Sequence, residues 1–413
     1  MKIEKIRIEN YKVYRNMEIR DLSNFSVFLG ANGAGKSTLF DVFGFLSDAL
    51  KSNVKIALNK RGGYKEVYSR NGLGPIVIEI KFRNDQTETT KAGQPPLITY
   101  HLEIEQENGF PIIKTERLSY RRAQRGKPYR FLDFHRGTGV AITNEDDYSS
   151  DAQNPNFSRE NQTLDSPDIL AIKGLGQFQK FKAISAFRRL LDNWYVSNFQ
   201  IQEARSVEDI GVSEHLSTSG NNLAQVTRYI WENYPDIFQH ILDKFRKRVP
   251  GIENVIAEET QDGRIVLKFK DESFIDPFVA RFVSDGTIKM FAYLVLLNDP
   301  VKHPLLCVEE PENYLHHDLL SELAEEFREY ASKGGQVFIS THSPDFVNSL
   351  YPEELFWLQK QDGATIIKKA SDDNIVRVLY NNGDKLGWLW REGYLIGSGP
   401  YNNPYVYNQG KPR

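Results

Sequence analysis

Hydrophobic and polar positions alternate with a period of two over residues 3–9 and 16–20, and this pattern predicts two strands. The next apolar run, NFSVFLG at residues 24–30, has no such alternation and is typical of a short strand that is buried on both faces. The period then changes to that of one helix face. The apolar positions that define this face are Leu39, Val42, Phe43, Leu46 and Leu50.

The same criteria divide the rest of the chain. Strands are predicted at 76–83, 98–106, 112–120, 129–135, 195–201, 252–258, 264–270, 304–308 and 336–341, and helices at 166–193, 221–249, 286–297 and 315–331. Residues 144–163 are polar and predict a mobile loop. The alternation of helix and strand from residue 286 onward is typical of an α/β protein. Because no heptad pattern is sustained between residues 160 and 250, we expect no long coiled-coil arm.

Composition adds only a few constraints. The net charge of −3 over 413 residues does not by itself favour a nucleic-acid partner. The single cysteine, Cys307, excludes an intramolecular disulfide, fits a reducing compartment, and lies in an apolar run where a buried thiol is expected. No apolar run reaches the length of about 18 residues that a membrane helix needs. We therefore expect a cytoplasmic protein that does not contact a membrane.

Residues 30–37, GANGAGKS, match the P-loop pattern G-x-x-x-x-G-K-[ST], with a predicted strand before them and a helix after them. Glycines let the backbone curl so that N–H groups point at phosphate oxygens, and the helix N-terminus adds a partial positive charge. We expect Lys36 to bind the β- and γ-phosphates of ATP, Ser37 to bind Mg²⁺, and Thr38 to contact the α-phosphate. A glycine-rich turn with an incidental lysine is the alternative. The other predicted nucleotide-binding residues of this loop are Asn32, Gly33 and Gly35.

Three acids, Glu309, Glu310 and Glu312, directly follow the apolar run at 304–308. Carboxylates crowded at the end of a buried strand repel each other and resist desolvation, so a cation must compensate them. Beside a P-loop, this position holds a metal ion and the attacking water. We predict that Glu309 acts at the Mg²⁺ site, outside the ion's direct ligands, and that Glu310 polarises the water. We expect Mg²⁺ and Lys36 to supply the compensating charge. An exposed acidic helix start is the alternative, and Glu312 is assigned to it.

The segment QVFISTHSPDF predicts another buried strand, which ends at Thr341 and places His342 at its carboxyl edge. Ligands of open α/β sheets bind at such edges. A neutral imidazole there can hydrogen-bond a γ-phosphate oxygen or the attacking water. His342 is therefore the second predicted catalytic residue, with a purely structural histidine as the alternative.

Four motifs together resemble ABC-type ATPases of the RecF, SMC and OLD group. They are GANGAGKS, FVSDGTIKMFAYLVLL, LLCVEEPENYLHHD and FISTHSPDF. The stretches IRIENYKVYRNMEI, NNLAQV and GDKLGWLWREGYL are also similar to this group, while residues 90–200 carry no match. Within the group, the resemblance is greatest to stand-alone bacterial ATPases that act with a neighbouring effector in phage defence.

The resemblance implies an α/β fold of the ABC-ATPase head type: a P-loop mixed sheet with a RecA-like core, a helical and β insertion, and no long coiled coil. Three parts are expected: a nucleotide-binding lobe at 1–143, a loop and helical insertion at 144–250, and a second lobe at 251–413. It also implies a homodimer, or a higher oligomer, that sandwiches two ATP molecules and controls a separately encoded effector such as a nuclease. A RecF-like repair ATPase that binds DNA itself is the alternative.

The resemblance alone gives residues 284–287, SDGT, a role in catalysis. In such ATPases this signature motif completes the site of the opposite subunit, so Ser284 Oγ and the Gly286 N–H would reach the γ-phosphate. Without the family, Ser-Asp-Gly is simply a favourable N-cap sequence. Two features depart from the family pattern. The first acid of the Walker B motif is usually Asp and here is Glu309, and the usual Q-loop glutamine has only Gln86 and Gln94 as unassigned candidates.

Basic residues cluster at 117–130, RLSYRRAQRGKPYR, where Tyr120 and Tyr129 are interleaved with them. Such a stretch can bind phosphate backbones and stack bases, but a solvated hairpin tip between two strands is the favoured interpretation. DNA therefore stays open as a partner. His316 and His317 lack partners at metal-ligand spacing, and no other set of His, Asp and Glu has such spacing in the sequence.

Overall fold

The computed structural model describes residues 2–83, 97–121, 129–143, 158–395 and 397. The chain forms two compact units. The first unit contains Met1–Trp194, Tyr351–Asp384 and Trp388–Arg413, and the second contains Tyr195–Leu350 and Lys385–Gly387. The predicted boundaries after residues 143 and 250 are a different division, which stays a prediction.

The strands, in chain order, are β1 (Lys2–Tyr11), β2 (Tyr14–Ile19), β3 (Phe25–Leu29), β4 (Ile76–Arg83), β5 (Leu97–Glu107), β6 (Phe110–Arg121), β7 (Tyr129–His135), β8 (Thr138–Ile142), β9 (Arg159–Thr163), β10 (Tyr195–Val196), β11 (Glu208–Asp209), β12 (Ile252–Glu259), β13 (Arg264–Asp271), β14 (Phe278–Val279), β15 (Leu305–Glu309), β16 (Gln336–Thr341), β17 (Leu355–Gln361) and β18 (Ala364–Lys369). The helices are α1 (Lys36–Lys51), α2 (Val54–Asn59), α3 (Tyr64–Val67), α4 (Ala171–Leu175), α5 (Lys182–Asp192), α6 (Ile201–Ala204), α7 (Leu223–Asn233), α8 (Pro235–Arg248), α9 (Asp285–Leu297), α10 (Leu320–Ser332), α11 (Pro344–Val347), α12 (Asn374–Asn381) and α13 (Leu386–Arg391).

The first unit contains an antiparallel sheet in the order β2-β1-β4-β5-β6-β7-β8-β9. The period of two at the chain start is confirmed for Ile6 and Ile8, which are buried. Ile3 is also buried, and a register shift between Ile3 and Lys5 accounts for its spacing of three residues from Ile6. In the same unit, β3 pairs in parallel with β17, and β18 pairs antiparallel with β17. All five residues of β3 are buried, as the apolar run predicts. The predicted helix face is also confirmed, because all five of its apolar positions are buried in α1.

The second unit contains the parallel strands β10, β15 and β16. Glu309 at the end of β15 lies opposite Ser340 near the end of β16, so the carboxyl ends of these strands are level. An antiparallel group, β11-β13-β12 with β14, belongs to the same unit. Helix α9 is buried from Ile288 to Leu297, which explains why its sequence is apolar nearly all round.

Five of the predicted elements are wrong in extent. The helix at 315–331 begins only at Leu320, as α10. The helix at 166–193 is two helices, α4 and α5, and a Cβ at Gly176 between them would lie 2.3 Å from the Ile172 carbonyl oxygen. The helix at 221–249 is α7 and α8, because Pro235 occupies the first position of a new helix. The strand at 195–201 is only β10, with α6 beginning at Ile201. Within the predicted loop at 144–163, residues 159–163 form β9, an edge strand paired with β8.

None of the helices in the described residues combines the length and the apolar character that a membrane crossing needs. Cys307 is fully buried in β15, as its apolar surroundings predict. Burial raises the pKa of its thiol, with a further contribution from Glu309.

Candidate active site

The P-loop of the first unit joins β3 to α1 through two glycines in the left-handed region. Gly33 has φ 77° and Gly35 has φ 108°. A Cβ at Gly35 would lie 2.9 Å from Val13 Cγ2 and 3.0 Å from Thr365 Oγ1. Position 35 therefore requires glycine for two reasons, its backbone conformation and its close neighbours.

Side chains from two strands hold the backbone of this loop. The Tyr14 hydroxyl in β2 donates to the Gly35 carbonyl oxygen at 2.7 Å, and Thr365 Oγ1 in β18 donates to the Ala34 carbonyl oxygen at 2.8 Å. Burial raises the pKa of Tyr14, so its hydroxyl stays a donor. Both anchors come from strands of the same unit as the loop.

Lys36 is the first residue of α1, and its side chain is buried. Its Nζ donates to the Gly30 carbonyl oxygen at 2.7 Å and to the Ala31 carbonyl oxygen at 3.4 Å, so the ammonium lies against the loop. Asn32, Gly33 and Ser37 are exposed, and Thr38 is half-buried. The predicted nucleotide-binding residues of this segment thus lie at the N-terminus of α1, a 16-residue helix, where the partial positive charge of the helix is located. The buried ammonium of Lys36 lies beside them.

In the second unit, Glu310 follows β15 with φ 45°, a left-handed conformation that is uncommon outside glycine. Its N–H donates to the Ser340 carbonyl oxygen of β16 at 2.8 Å. Its carboxylate contacts two groups: Oε1 lies 3.1 Å from His342 Nδ1, and Oε2 accepts from Asn313 Nδ2 at 2.9 Å. The structure thus brings together the two residues that the sequence predicts as catalytic, each at the end of a parallel strand.

The interpretation of Glu312 as an exposed residue at a helix start is wrong. The following helix begins only at Leu320, after a 3-10 turn at His317–Leu319, and Glu312 is buried. Its Oε1 accepts from Thr341 Oγ1 at 2.7 Å and from the His342 N–H at 3.1 Å. Glu312 therefore positions the end of β16 and the backbone of His342. The sequence gives no spacing signal for this pair of contacts, because the partners are 29 and 30 residues apart.

Lys289 lies within the segment FVSDGTIKMFAYLVLL, but the sequence assigns no role to this lone lysine in an apolar helix. It is buried in α9, and its Nζ donates to the Glu310 carbonyl oxygen at 3.1 Å and to the Asn313 carbonyl oxygen at 2.9 Å. Burial lowers the pKa of Lys289 to about 8, although Glu312 and Glu310 act in the opposite direction. The ammonium of Lys289 thus contacts residues 310–313, which we call the acidic turn. This cation comes in addition to Mg²⁺ and Lys36, which the sequence predicts as compensating charges.

The signature segment begins α9 in the same unit. Ser284 is its N-cap: Oγ accepts from the Thr287 N–H at 3.2 Å and lies 2.7 Å from Thr287 Oγ1. Arg205 Nη2 donates to the Val283 carbonyl oxygen and pairs with Asp285 at 2.6 Å. A Cβ at Gly286 would lie 2.7 Å from the Tyr314 carbonyl oxygen. Ser284 is therefore the N-cap of α9, and Gly286 has a packing reason to be glycine. The catalytic role of this segment stays a prediction.

Two further sequence features have a definite outcome. In the basic stretch, Arg117 and Arg130 both pair with Asp133, at 2.7 and 2.6 Å, so these two guanidinium groups are used within the sheet. This favours the hairpin interpretation for that part of the stretch, while residues 122–128 lie outside the described residues. Gln86 and Gln94 also lie outside them.

Comparison with known proteins identifies the family. The family model described as "AAA domain, putative AbiEii toxin, Type IV TA system" matches residues 25–348, which is well over half of the chain. The chain belongs to this family. The matched range includes the P-loop, the signature segment, the acidic turn and His342, and it supports the ATPase assignment drawn from those motifs.

Curated relatives match shorter stretches. The chain is 34% identical to the DNA double-strand break repair Rad50 ATPase of Pyrococcus abyssi (strain GE5 / Orsay) over 89 residues, 21% of this chain and 10% of the relative. It is 27% identical to the DNA replication and repair protein RecF of Alkaliphilus oremlandii (strain OhILAs) over 104 residues, 24% of this chain and 28% of the relative. It is 21% identical to the Old nuclease of Escherichia phage P2 over 196 residues, 44% of this chain and 33% of the relative. The matches thus span a third or less of each relative.

The fold is similar to that of a solved SMC head. The structure of the SmcHead bound to the C-winged helix domain of ScpA aligns with 89% of this chain and 97% of its own, with a TM-score of 0.53 and 15% identity. The predicted α/β fold of the ABC-ATPase head type is therefore confirmed, as is the resemblance to the RecF, SMC and OLD group. The chain therefore combines a P-loop domain of this AAA family with a fold similar to that of an SMC head.

Proposed function

We propose that this chain binds ATP together with Mg²⁺, hydrolyses it, and acts as a dimeric switch. The observation that carries the proposal is the pair Glu310 and His342, whose side chains lie 3.1 Å apart at the ends of two parallel strands. A carboxylate oriented by an imidazole can hold and polarise a water molecule. The family to which the chain belongs supports the same chemistry.

The residues of the P-loop fit a nucleotide. Gly33 and Gly35 let the backbone follow phosphate oxygens, and the N-terminus of α1 favours negative charge. Lys36 is held beside the loop by two carbonyl oxygens, from which its ammonium can turn to the β- and γ-phosphates. The fit to Mg²⁺ rests on oxygen donors, the Ser37 hydroxyl and, beyond the direct ligands, the Glu309 carboxylate. When bound, the ion neutralises charge on the phosphates.

Three contacts keep the proposed catalytic groups in place. Lys289 holds the backbone of Glu310, Asn313 holds its second carboxylate oxygen, and Glu312 holds the backbone of His342. With its conformation fixed in this way, Glu310 can accept a proton from the attacking water without reorganising the turn. His342 then donates a hydrogen bond to the water or to the phosphate. Both roles are proposals.

We assign the exposed end of α9 to a second copy of the chain. Ser284 is exposed, and helix N-termini attract phosphate. In the proposed homodimer, Ser284 and Gly286 of one copy complete the site of the other. Nucleotide binding would then control association, and through it a separately encoded effector such as a nuclease in phage defence. The toxin–antitoxin wording of the family description supports a defence role of this kind.

Two substitutions separate nucleotide binding from hydrolysis. Lys36→Ala should abolish ATP binding, because the phosphates lose the cation of the loop. Glu310→Gln should keep ATP binding, slow hydrolysis strongly and accumulate a nucleotide-bound dimer. Matched controls are Lys60→Ala and Glu325→Gln, whose side chains are exposed and pair with Asp48 and Arg328. Retained micromolar ATP affinity in Lys36→Ala, or wild-type turnover in Glu310→Gln, contradicts the proposal.

Direct DNA binding is the second candidate function. The names of two relatives, a Rad50 ATPase and RecF, refer to DNA repair, which supports it. It predicts ATP-dependent affinity of the isolated protein for duplex DNA, with the steep salt dependence of phosphate contacts. The switch proposal instead predicts that downstream activity appears only with the partner protein. The pairing of Arg117 and Arg130 with Asp133 favours the switch.

A further inference from the structure

Two histidines and an aspartate that belong to none of the motifs meet in the second unit. The ligand atoms of His215, Asp299 and His303 all lie within 4.8 Å of one another. His215 Nδ1 is 2.9 Å from Asp299 Oδ2 and 3.1 Å from Asp299 Oδ1. No spacing in the sequence indicates this set, because His215 and Asp299 are 84 residues apart.

Asp299 is a buried carboxylate, with only 5% of its surface exposed. Within the described residues its ionic partner is His215, and Oδ1 also accepts from the Val301 N–H at 2.8 Å. An imidazole carries a full charge only when it is protonated, so this carboxylate lacks the permanent cation that burial normally requires. Burial is the largest cause of the raised pKa of Tyr195 and of Tyr330. The negative charge of Asp299 raises both pKa values further.

The neighbours of His303 hold its backbone and pack against its ring. The Tyr330 hydroxyl donates to the His303 carbonyl oxygen at 3.1 Å, and the ring centroids of Tyr195 and His303 are 5.1 Å apart. The rings of His215 and His303 are themselves edge-on, with centroids 5.7 Å apart.

We propose that His215, Asp299 and His303 form a binding site for a divalent transition metal of the zinc class. Two imidazoles and one carboxylate are a donor set that Zn²⁺ uses, whereas Mg²⁺ and Ca²⁺ prefer oxygen ligands. Two ligand atoms of a tetrahedral Zn²⁺ lie about 3.4 Å apart, given bonds of about 2.0–2.2 Å. A set within 4.8 Å therefore needs a contraction of no more than about 1.5 Å to close around the ion.

The position of this site gives the metal a structural role. Asp299 follows the end of α9 at Leu297, and His303 precedes β15, which begins at Leu305. The opposite ends of these elements carry Ser284 and Glu309. A bound ion would join the two elements through their connecting segment and stabilise the second unit. This inference stands independently of the proposed ATP hydrolysis.

Zinc titration of the full chain tests the site. Wild-type protein stripped with a chelator should take up one Zn²⁺ per chain and show a higher melting temperature with the metal than without it. His215→Ala and His303→Ala each remove a direct ligand, so each should weaken Zn²⁺ affinity by more than about 100-fold. Loss of a group that only hydrogen-bonds a ligand typically costs about 10–100-fold. The matched control is the double variant His316→Ala, His317→Ala. It removes an exposed His–His–Asp group of the same composition and should keep the affinity.

Two additional measurements protect the test against a variant that fails to fold. Asp299→Asn keeps an oxygen that can accept from the Val301 N–H while it removes the charge, so it should fold and bind Zn²⁺ weakly. Co²⁺ added to the stripped wild-type protein should give the visible absorption of a nitrogen- and oxygen-ligated tetrahedral ion. The proposal is overturned if the wild type binds no stoichiometric Zn²⁺. It is equally overturned if the His316, His317 variant loses the metal while the His303 variant keeps it.

Discussion

Replacing Lys289 with Met removes the ammonium beneath the acidic turn and keeps an unbranched side chain of similar length. Two carbonyl oxygens, those of Glu310 and Asn313, then lose their donor. A hydrogen bond to a charged group contributes about 1.5–3 kcal/mol, so the turn loses roughly 3 kcal/mol or more of restraint. The ammonium itself is costly to bury: the fall of its pKa from 10.5 to about 8 corresponds to roughly 3 kcal/mol. Because these two effects have opposite signs, the change in the free energy of unfolding should be smaller than either effect alone.

For catalysis, the loss of the two hydrogen bonds from Lys289 has no such opposing effect. Glu310 has a left-handed backbone, φ 45°, which the turn must hold against its intrinsic preference. A displacement of about 1 Å at a catalytic group can lower the rate about 100-fold. We therefore expect Lys289→Met to lower kcat by about 10- to 100-fold, with little change in the KM for ATP and a free energy of unfolding within about 1 kcal/mol of wild type.

The pH dependence distinguishes this role from simple packing. Because the pKa of Lys289 is lowered on folding, the unfolded chain binds more protons between pH about 8 and 10.5. The wild-type protein should therefore gain up to roughly 3 kcal/mol of stability as the pH rises through this window. In the same window the ammonium is lost, its bonds to the turn weaken, and kcat should fall. Activity and stability thus change in opposite directions, and both changes should disappear in Lys289→Met.

Steady-state ATP hydrolysis and urea unfolding, measured across pH 7 to 10 or so, check this. Lys333→Met, which removes an exposed lysine paired with Glu329, is the matched control and should behave as wild type. The reasoning about Lys289 is refuted if Lys289→Met retains wild-type kcat. It is also refuted if the alkaline fall in kcat persists unchanged in that variant.

The remaining predictions concern two other contacts of the second unit. Glu312→Ala leaves the Thr341 hydroxyl and the His342 N–H without their acceptor, so it should lower the free energy of unfolding by about 1–3 kcal/mol in urea. Glu312→Gln retains an acceptor oxygen, so its free energy of unfolding should fall by less. Equal decreases in the two variants would exclude the lost acceptor as the cause. Gly286→Ala places a Cβ 2.7 Å from the Tyr314 carbonyl oxygen, so it should lower stability by about 1–3 kcal/mol and reduce hydrolysis. An unchanged melting temperature in Gly286→Ala would show that the backbone at Tyr314 can move away from the new Cβ without a loss of stability.

Sequence reasoning was most informative where the relevant residues are contiguous. The apolar run of β3, the helix face of α1 and the P-loop between them follow from local periodicity and spacing, because each lies within a single segment of chain. The strands at 76–83 and 129–135 have their predicted bounds for the same reason. Elements without strong periodicity, such as β17 and the short helices α2 and α3, were not predicted.

The rest of the candidate site depends on contacts that only the fold creates. Lys289 meets the turn from 21 and 24 residues away, and Arg205 reaches the signature segment from 78 residues away. Arg205 lies outside the quoted motifs, and Lys289 has no assigned role within its motif, because an isolated charge has many explanations. Glu312 was assigned to a helix start because acids favour such positions, but the helix begins eight residues later, at Leu320. Spacing within the sequence cannot show that the Glu312 side chain contacts the end of β16, at Thr341 and His342.

Mixing two inactive variants tests most directly the claim that copies of this chain share their ATP sites. Lys36→Ala should not bind ATP, and Ser284→Arg should bind ATP but block the facing site with its bulky cation. In a heterodimer of the two, one site combines intact Lys36, Glu310 and His342 with an intact signature segment, and the other carries both lesions. The mixture should therefore regain ATP hydrolysis, up to about half the wild-type rate per heterodimer if the two sites act independently. Full activity of Ser284→Arg alone, or of a strictly monomeric wild-type preparation, would contradict the shared site.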